Sequence, residues 1–164
     1  MPHAHILVKL DKAPTPAEID DFIWATLPPE DDPELLELVL KHHIHGPCGP
    51  ANLASPCMDP STKTCTRGPF PKPKTPVTFF DARGFPNYRR PCKRTVKLKR
   101  GKKEHIIDDT WVVPYNRHIL RKYGAHCNVE LATHTGTIKY LFKVALFNLF
   151  NKSGCNQCIV SSMC

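Results

Sequence analysis

The strongest constraint on this chain is the stretch 41–76, which is rich in Pro, Gly, Ser and Thr and follows neither a helical nor a strand period. A loop of this length without its own secondary structure is uncommon in a compact domain unless it is functional or fastened. His45, Cys48, Cys57 and Cys65 lie inside it, spaced His-x2-Cys, x8, Cys, x7, Cys. One imidazole and three thiolates are a common ligand set for a closed tetrahedral structural zinc. The spacing is looser than a paired Cys-x-x-Cys knuckle. Free cysteines in an unliganded loop are therefore the alternative, and His42 or His43 can stand in for His45. The chain has eight cysteines, but its first residues are not a basic region followed by a long apolar run. Without such an export signal, metal binding or free thiols are expected in place of disulfides, and an intracellular location with them.

Around this loop the periodicity predicts an α+β fold. Its 164 residues suit one domain with a real core, and no apolar run approaches the ~20 residues of a membrane span. Residues 3–10 alternate as a strand. Thr15, Pro16 and Glu18 form a capping box that opens a helix with its apolar stripe at Ile19, Phe22, Ile23, Thr26 and Leu27, stopped by Pro28 and Pro29. Asp32 and Pro33 open a second helix, and the acids around its start suit the helix dipole. Residues 77–100 read as a hairpin or meander turning at Asp81-Ala82-Arg83-Gly84. Trp111 to Tyr115 reads as a short strand. Asn116 caps a helix closed by Gly124, and 126–131 alternates as a central strand whose polar face carries His126, Asn128 and Glu130. A satisfied core histidine is the favoured role for His126. A last helix starts near Thr137. The expected division is a domain over 1–150, with 41–76 as an inserted Cys/His loop, and a divergent tail over 151–164. The tail's Cys155, Cys158 and Cys164 are weak evidence for any chemistry.

Charge is unevenly distributed. Residues 1–40 carry two Lys against nine Asp/Glu, whereas 41–164 carry 21 Lys/Arg against six Asp/Glu, for an overall +8. Arg89, Arg90, Lys93, Arg94, Lys97, Lys99, Arg100, Lys102 and Lys103 form a run uninterrupted by any acid. Such a run suits a phosphate backbone, bound through counterion release; the competing reading is a solvated basic hairpin. Tyr88 or Phe85 is available for base stacking, with core packing favoured for Phe85.

The first strand carries His3-Ala4-His5. Residues i and i+2 of a strand share a face, so the two imidazoles form a natural pair of ligands for a divalent metal; on the residues alone, two exposed histidines on an edge strand is the favoured reading. Near the other end, Tyr140 lies roughly 160 degrees from the apolar stripe of its helix, between Lys139 and Lys143. Flanking lysines stabilise a phenolate and bind phosphate, as a tyrosine nucleophile requires.

Several blocks occur in order: Pro2-His3-Ala4-His5-Ile6-Leu7, His45-Gly46-Pro47-Cys48-Gly49, Ser55-Pro56-Cys57-Met58, Trp111-Val112-Val113-Pro114-Tyr115-Asn116, Ala125-His126-Cys127-Asn128-Val129-Glu130 and Ile138-Lys139-Tyr140-Leu141-Phe142-Lys143. The succession, over roughly residues 1–143, resembles the Helitron rolling-circle transposases in their helicase-like region, which are similar to HUH endonucleases. The resemblance implies a partial HUH-type antiparallel sheet with packing helices. It also implies Mg²⁺ or Mn²⁺ at His3 and His5, with a third ligand for which His126 or Glu130 is a candidate if its strand adjoins the first. Tyr140 is then the nucleophile that nicks and joins single-stranded DNA. The expected partner is single-stranded DNA in the nucleus, with neither a membrane nor a small-molecule substrate. Three departures shape the expectation. The family has further fold upstream of this strand, Val144 stands where its second tyrosine falls, and no GxxxxGK[ST] occurs for its fused helicase. The expectation is a degenerate transposase fragment with nicking impaired or lost. The alternatives are a non-catalytic single-stranded-nucleic-acid-binding remnant and a relic with no biochemical role.

Overall fold

The computed structural model describes residues 4–101, 103–133 and 158–163. Its elements in chain order are β1 (Ala4–Lys9), α1 (Pro16–Phe22), α2 (Pro33–His42), β2 (Phe79–Phe80), β3 (Pro86–Asn87), β4 (Val96–Arg100), β5 (Lys103–Ile107), a 3₁₀ turn (Asp109–Trp111), α3 (Arg117–Tyr123), β6 (Cys127–Ala132) and β7 (Cys158–Met163). The fold is α+β, with three small antiparallel sheets among the described residues: β1-β7-β6, β2-β3 and β4-β5. Among the described residues no helix is long and apolar enough to cross a membrane.

The helices start where the sequence predicts. Thr15 accepts from the Glu18 amide while the Glu18 carboxylate accepts from the Thr15 amide, so both halves of the capping box form. Asp32 caps α2 through the Leu35 amide, and Asn116 caps α3 through the His118 and Ile119 amides. Gly124, at φ +55°, closes α3 in the left-handed region. Arg121 of α3 pairs with Asp32, tying the start of α2 to α3.

The first helix is shorter than its apolar stripe. It ends at Phe22 because the next residues enter a tertiary pairing: the Trp24 and Tyr115 amides donate to each other's carbonyls at 2.8 Å. This pairing also reshapes the stretch predicted as a strand over 111–115. Its start is a 3₁₀ turn capped by Asp108, and the remainder is held by single bridges, Ile44 with Val112 and Trp24 with Tyr115.

Two apolar clusters flank this crossing. In one, Leu35 and Val39 of α2 and Leu120 of α3 pack with Leu27, Ile107, Val112 and Tyr115. In the other, Ile19, Ile23 and Ala25 meet Tyr88 and the Cys127, Val129 and Leu131 face of β6. The polar–apolar alternation read over 126–131 is thus real. Its strand, however, is an edge of the β1-β7-β6 order, because 158–163, to which the sequence assigns no element, supplies the centre strand. β7 therefore separates β6 from β1, and His126 makes core contacts instead. Its Nδ1 lies 2.6 Å from the His42 carbonyl and its ring stacks on His43 at 5.0 Å. His43 is fully buried and accepts from the Cys127 amide through Nε2. Burial, with the nearby His126 and His42, pushes its pKa down to about 3, so the ring is neutral.

Arg90 is the main departure within the basic run. It is 4% exposed, and its Nη1 donates to the carbonyls of Ala25, Asp109 and Val112 at 3.1, 2.6 and 2.7 Å. Buried Asp109 complements it, its carboxylate accepting from the Leu27 and Cys92 amides, both at 2.7 Å. Burial lowers the Arg90 pKa to about 10, with Asp109 opposing, so the guanidinium stays charged at neutral pH. Arg90 is therefore a core tie and not a phosphate contact. Tyr88 is buried as well, its hydroxyl accepting from the Leu131 amide at 2.8 Å, and is unavailable for stacking. Phe85, expected in the core, is 41% exposed beneath the Arg83 guanidinium.

Arg90→Ala would take its donor from the buried carbonyls of Ala25 and Val112, leave the Asp109 carbonyl with the Val112 amide, and leave the Asp109 carboxylate without its complement. The expected cost is about 3–5 kcal/mol in chemical denaturation. Exposed Arg89→Ala is expected to change stability by less than about 0.5 kcal/mol.

Candidate metal centre

The loop that lacks periodicity is organised around four side chains. His45 Nε2 and the sulfurs of Cys48, Cys57 and Cys65 all lie within 4.8 Å of one another, with His45 Nε2 at 3.2 Å from Cys65 Sγ. The group can hold a metal ion. His45, and not His42 or His43, supplies the imidazole.

Local backbone interactions bring the four together. His45 follows α2, and its amide donates to the Trp111 carbonyl at 2.9 Å, fixing the entry to the loop. Gly46 then turns at φ +91°, where a Cβ would lie 2.8 Å from the Trp111 ring and 2.9 Å from the Cys48 amide. Only glycine meets both the dihedral and the space. The next turn is closed by the Asn52 amide on the Gly49 carbonyl, and the Gly49 amide reaches Met58 Sδ at 3.2 Å. Cys57 and Cys65 are brought back together by a small turn. The Asp59 amide donates to Thr64, the Thr66 amide donates to Cys57, and the Asp59 carboxylate accepts from the Ser61 and Thr62 amides. The His45 ring is backed by Phe70, stacked at 4.1 Å between centroids.

The protonation states fit a cation. Burial, aided by the Arg67 and Lys72 charges, lowers the His45 pKa and favours the neutral ring that a metal requires. Cys48 is fully buried, and burial together with hydrogen bonding to Cys57 and Cys65 pushes its thiol up to about 12. At Cys57 burial acts upward, but hydrogen bonds from Ser55, Cys65 and Cys48 outweigh it and the pKa falls. Three thiols this close cannot all ionise by themselves. A divalent cation would remove that restriction, because thiolate coordination displaces the protons.

The other predicted site residues are more scattered. His3, Lys102, Lys139, Tyr140 and Lys143 lie outside the described residues, and of His5 only the main chain, within β1, is described. His5 is in register with Ser162 of β7, which is in register with Asn128 of β6. Arg89, Lys93, Lys97, Lys99, Arg100 and Lys103 are exposed. Lys97 pairs with Glu104 at 3.1 Å, and the less exposed Arg94 lies 4.0 Å from Glu30. Phe70, Arg67 and Lys72, which surround the centre, are absent from the sequence-derived site because no spacing rule connects them to the ligands.

No protein-family model and no curated protein matches this chain.

Cys48→Ser is expected to abolish stoichiometric metal binding, measured by elemental analysis of dialysed protein. Chelation of the wild type is expected to expose residues 45–75 to protease while α1 and β6 stay protected. Gly46→Ala is expected to weaken the metal at least tenfold, because the loop must shift away from Trp111.

Proposed function

We propose that this chain is a single-stranded-DNA-handling domain of the Helitron-like HUH type, with its loop held by a structural zinc. The metal assignment follows from the donors. Three sulfurs and one imidazole nitrogen, all within 4.8 Å, form a soft, closed set that suits zinc, whereas Mg²⁺ prefers oxygen.

The observation that carries the DNA assignment is the β4–β5 hairpin with its approach. Lys93, Lys97, Lys99, Arg100 and Lys103 are all exposed there, and of these only Lys97 lies within 4.0 Å of a carboxylate among the described residues. Val96 and Leu98 turn toward the core while Lys97 and Lys99 face solvent. The hairpin thus presents its cations to a backbone of phosphates on a rigid element.

The resemblance supplies the chemistry. The Tyr140 hydroxyl, having lost its proton, attacks the scissile phosphorus in line. The P–O bond to the 3′ oxygen breaks, leaving a 5′-phosphotyrosine and a 3′-hydroxyl. Mg²⁺ or Mn²⁺ at His3 and His5 would polarise the phosphate. β6 does not supply the third ligand, because β7 lies between it and β1 and the His5 position is two strand spacings, about 10 Å, from Asn128. Val144, in place of a second tyrosine, favours the second reading, a binding module without a full strand-transfer cycle.

Purified protein, Mn²⁺ and labelled single-stranded DNA run on a denaturing gel separate the two. A covalent band lost with Tyr140→Phe and with EDTA is the expected sign of nicking. Salt-sensitive binding without that band is the sign of a binding module. Failure of folded, zinc-loaded protein to bind would overturn both. The Lys97→Ala/Lys99→Ala variant is expected to bind several-fold more weakly and to flatten the dependence of affinity on salt.

A further inference from the structure

Beside the metal centre lies a cleft of about 1150 Å³ that neither the hairpin nor the zinc explains. One wall is the metal loop with Arg67, Phe70 and Lys72. The β2–β3 hairpin with Phe85, and Asn128 and Glu130 of β6, also line the cleft. We infer that this cleft receives unpaired nucleotides of single-stranded DNA, with phosphate on Arg67 and Lys72 and a base against Phe85, and that the metal centre holds the cationic wall in place. The inference rests on the reading of the chain as a single-stranded-DNA binder.

Three observations point to a ligand of this class. Neither Arg67 nor Lys72 lies within 4.0 Å of a carboxylate among the described residues, although Lys72 is partly buried. Phe85 is a large exposed aromatic lining the cleft, with the Arg83 guanidinium 5.3 Å from its ring centroid, an aromatic and cation pair of the kind that stacks bases and meets phosphate. Asn128 Nδ2 donates to Glu130 Oε1 at 3.1 Å, so β6 lines the cleft with a tied polar pair able to hydrogen-bond a base edge. The volume exceeds the roughly 300–1,000 Å³ of pockets for drug-sized ligands, so a short run of chain is a better match than a lone small molecule.

The coupling to metal is direct. His45 stacks on Phe70 at 4.1 Å, and Lys72 Nζ lies 4.9 Å from the centroid of that same Phe70 ring. Metal ligand, phenyl ring and ammonium form one pile, and Arg67 follows the ligand Cys65 by two residues. Releasing the metal frees both cations from their positions. A three-thiolate, one-imidazole zinc centre carries a net charge of −1, so Arg67 and Lys72 also offset the centre, with one positive charge left over. Glu130 is the opposing carboxylate, exposed and lining the cleft.

The test measures binding of zinc-loaded full chain to a short fluorescein-labelled oligothymidylate by anisotropy, with zinc content and thermal midpoint recorded for every variant. Arg67→Ala/Lys72→Ala is expected to weaken binding about tenfold with zinc retained. Glu130→Gln is expected to tighten it several-fold, the opposite sign, which a merely structural role would not produce. Phe85→Leu is expected to weaken it and to erase the preference for thymidylate over an abasic strand. Unchanged affinity in the first two variants, with Lys97→Ala/Lys99→Ala still weakened, would overturn the cleft assignment and leave the DNA reading standing. No binding by folded wild type would overturn that reading itself. Should the double variant lose zinc, Glu130→Gln decides, since unchanged affinity there sinks the inference.

Discussion

The guanidinium of Arg90 is buried where three segments meet, and one of its nitrogens donates to the carbonyls of Ala25, Asp109 and Val112. The Ala25 carbonyl lies in the irregular chain between α1 and α2 and the Val112 carbonyl just past the 3₁₀ turn, while the Asp109 carbonyl also accepts from the Val112 amide. Unpaired buried carbonyls are costly, so irregular backbone at the centre of a domain needs a donor that reaches several at once. Arginine meets that need with a fixed planar fork. Asp109 does the converse with its carboxylate, accepting from Leu27 and Cys92. The two charges balance each other, and the paired Trp24 and Tyr115 amides seal one end of the crossing.

The metal centre depends on this crossing. Trp111 is the last residue of the 3₁₀ turn that Asp109 begins, and its carbonyl and ring meet His45 and Gly46 as the chain leaves α2. The loop thus enters from a fixed point. Beyond it, the Asn52 and Asp59 turns return the chain so that four ligand atoms converge. Binding energy at a site of this kind is folding energy, because the ligands are far apart in the unfolded chain. A segment too polar and too proline-rich to bury an apolar face becomes a defined wall.

Around that frame the cations divide by role. Arg90 is consumed by the core, Lys97 and Lys99 face solvent from β4, and Arg67 and Lys72 stand over the cleft beside the thiols. The run from Arg89 to Lys103 that looks uniform in sequence is therefore divided between core and surface, and Arg67 and Lys72 are a further group from outside it. Burial decides which of them can meet a phosphate, since a guanidinium already satisfied by carbonyls gains nothing from exchanging them.

The sequence by itself determined the local features: the three helix starts at Thr15, Asp32 and Asn116, the turn at Asp81 to Gly84, the alternation of β4 and β6, and the candidate thiols Cys48, Cys57 and Cys65 with a histidine from His42, His43 or His45. Each is governed by residues within a turn or two of one another, or by a side-chain chemistry rare enough to stand out. Only the tertiary structure decided that Arg90 and Tyr88 are core while Phe85 is surface, that α1 stops at Phe22, and that 158–163 lies between β1 and β6. It also decided that His45, and not His42 or His43, joins the three thiols, and that Phe70 lies against both His45 and Lys72. Those outcomes depend on partners distant in the chain, such as the Val112 carbonyl for Arg90 and the Tyr115 amide and carbonyl for Trp24, and local periodicity carries no record of them.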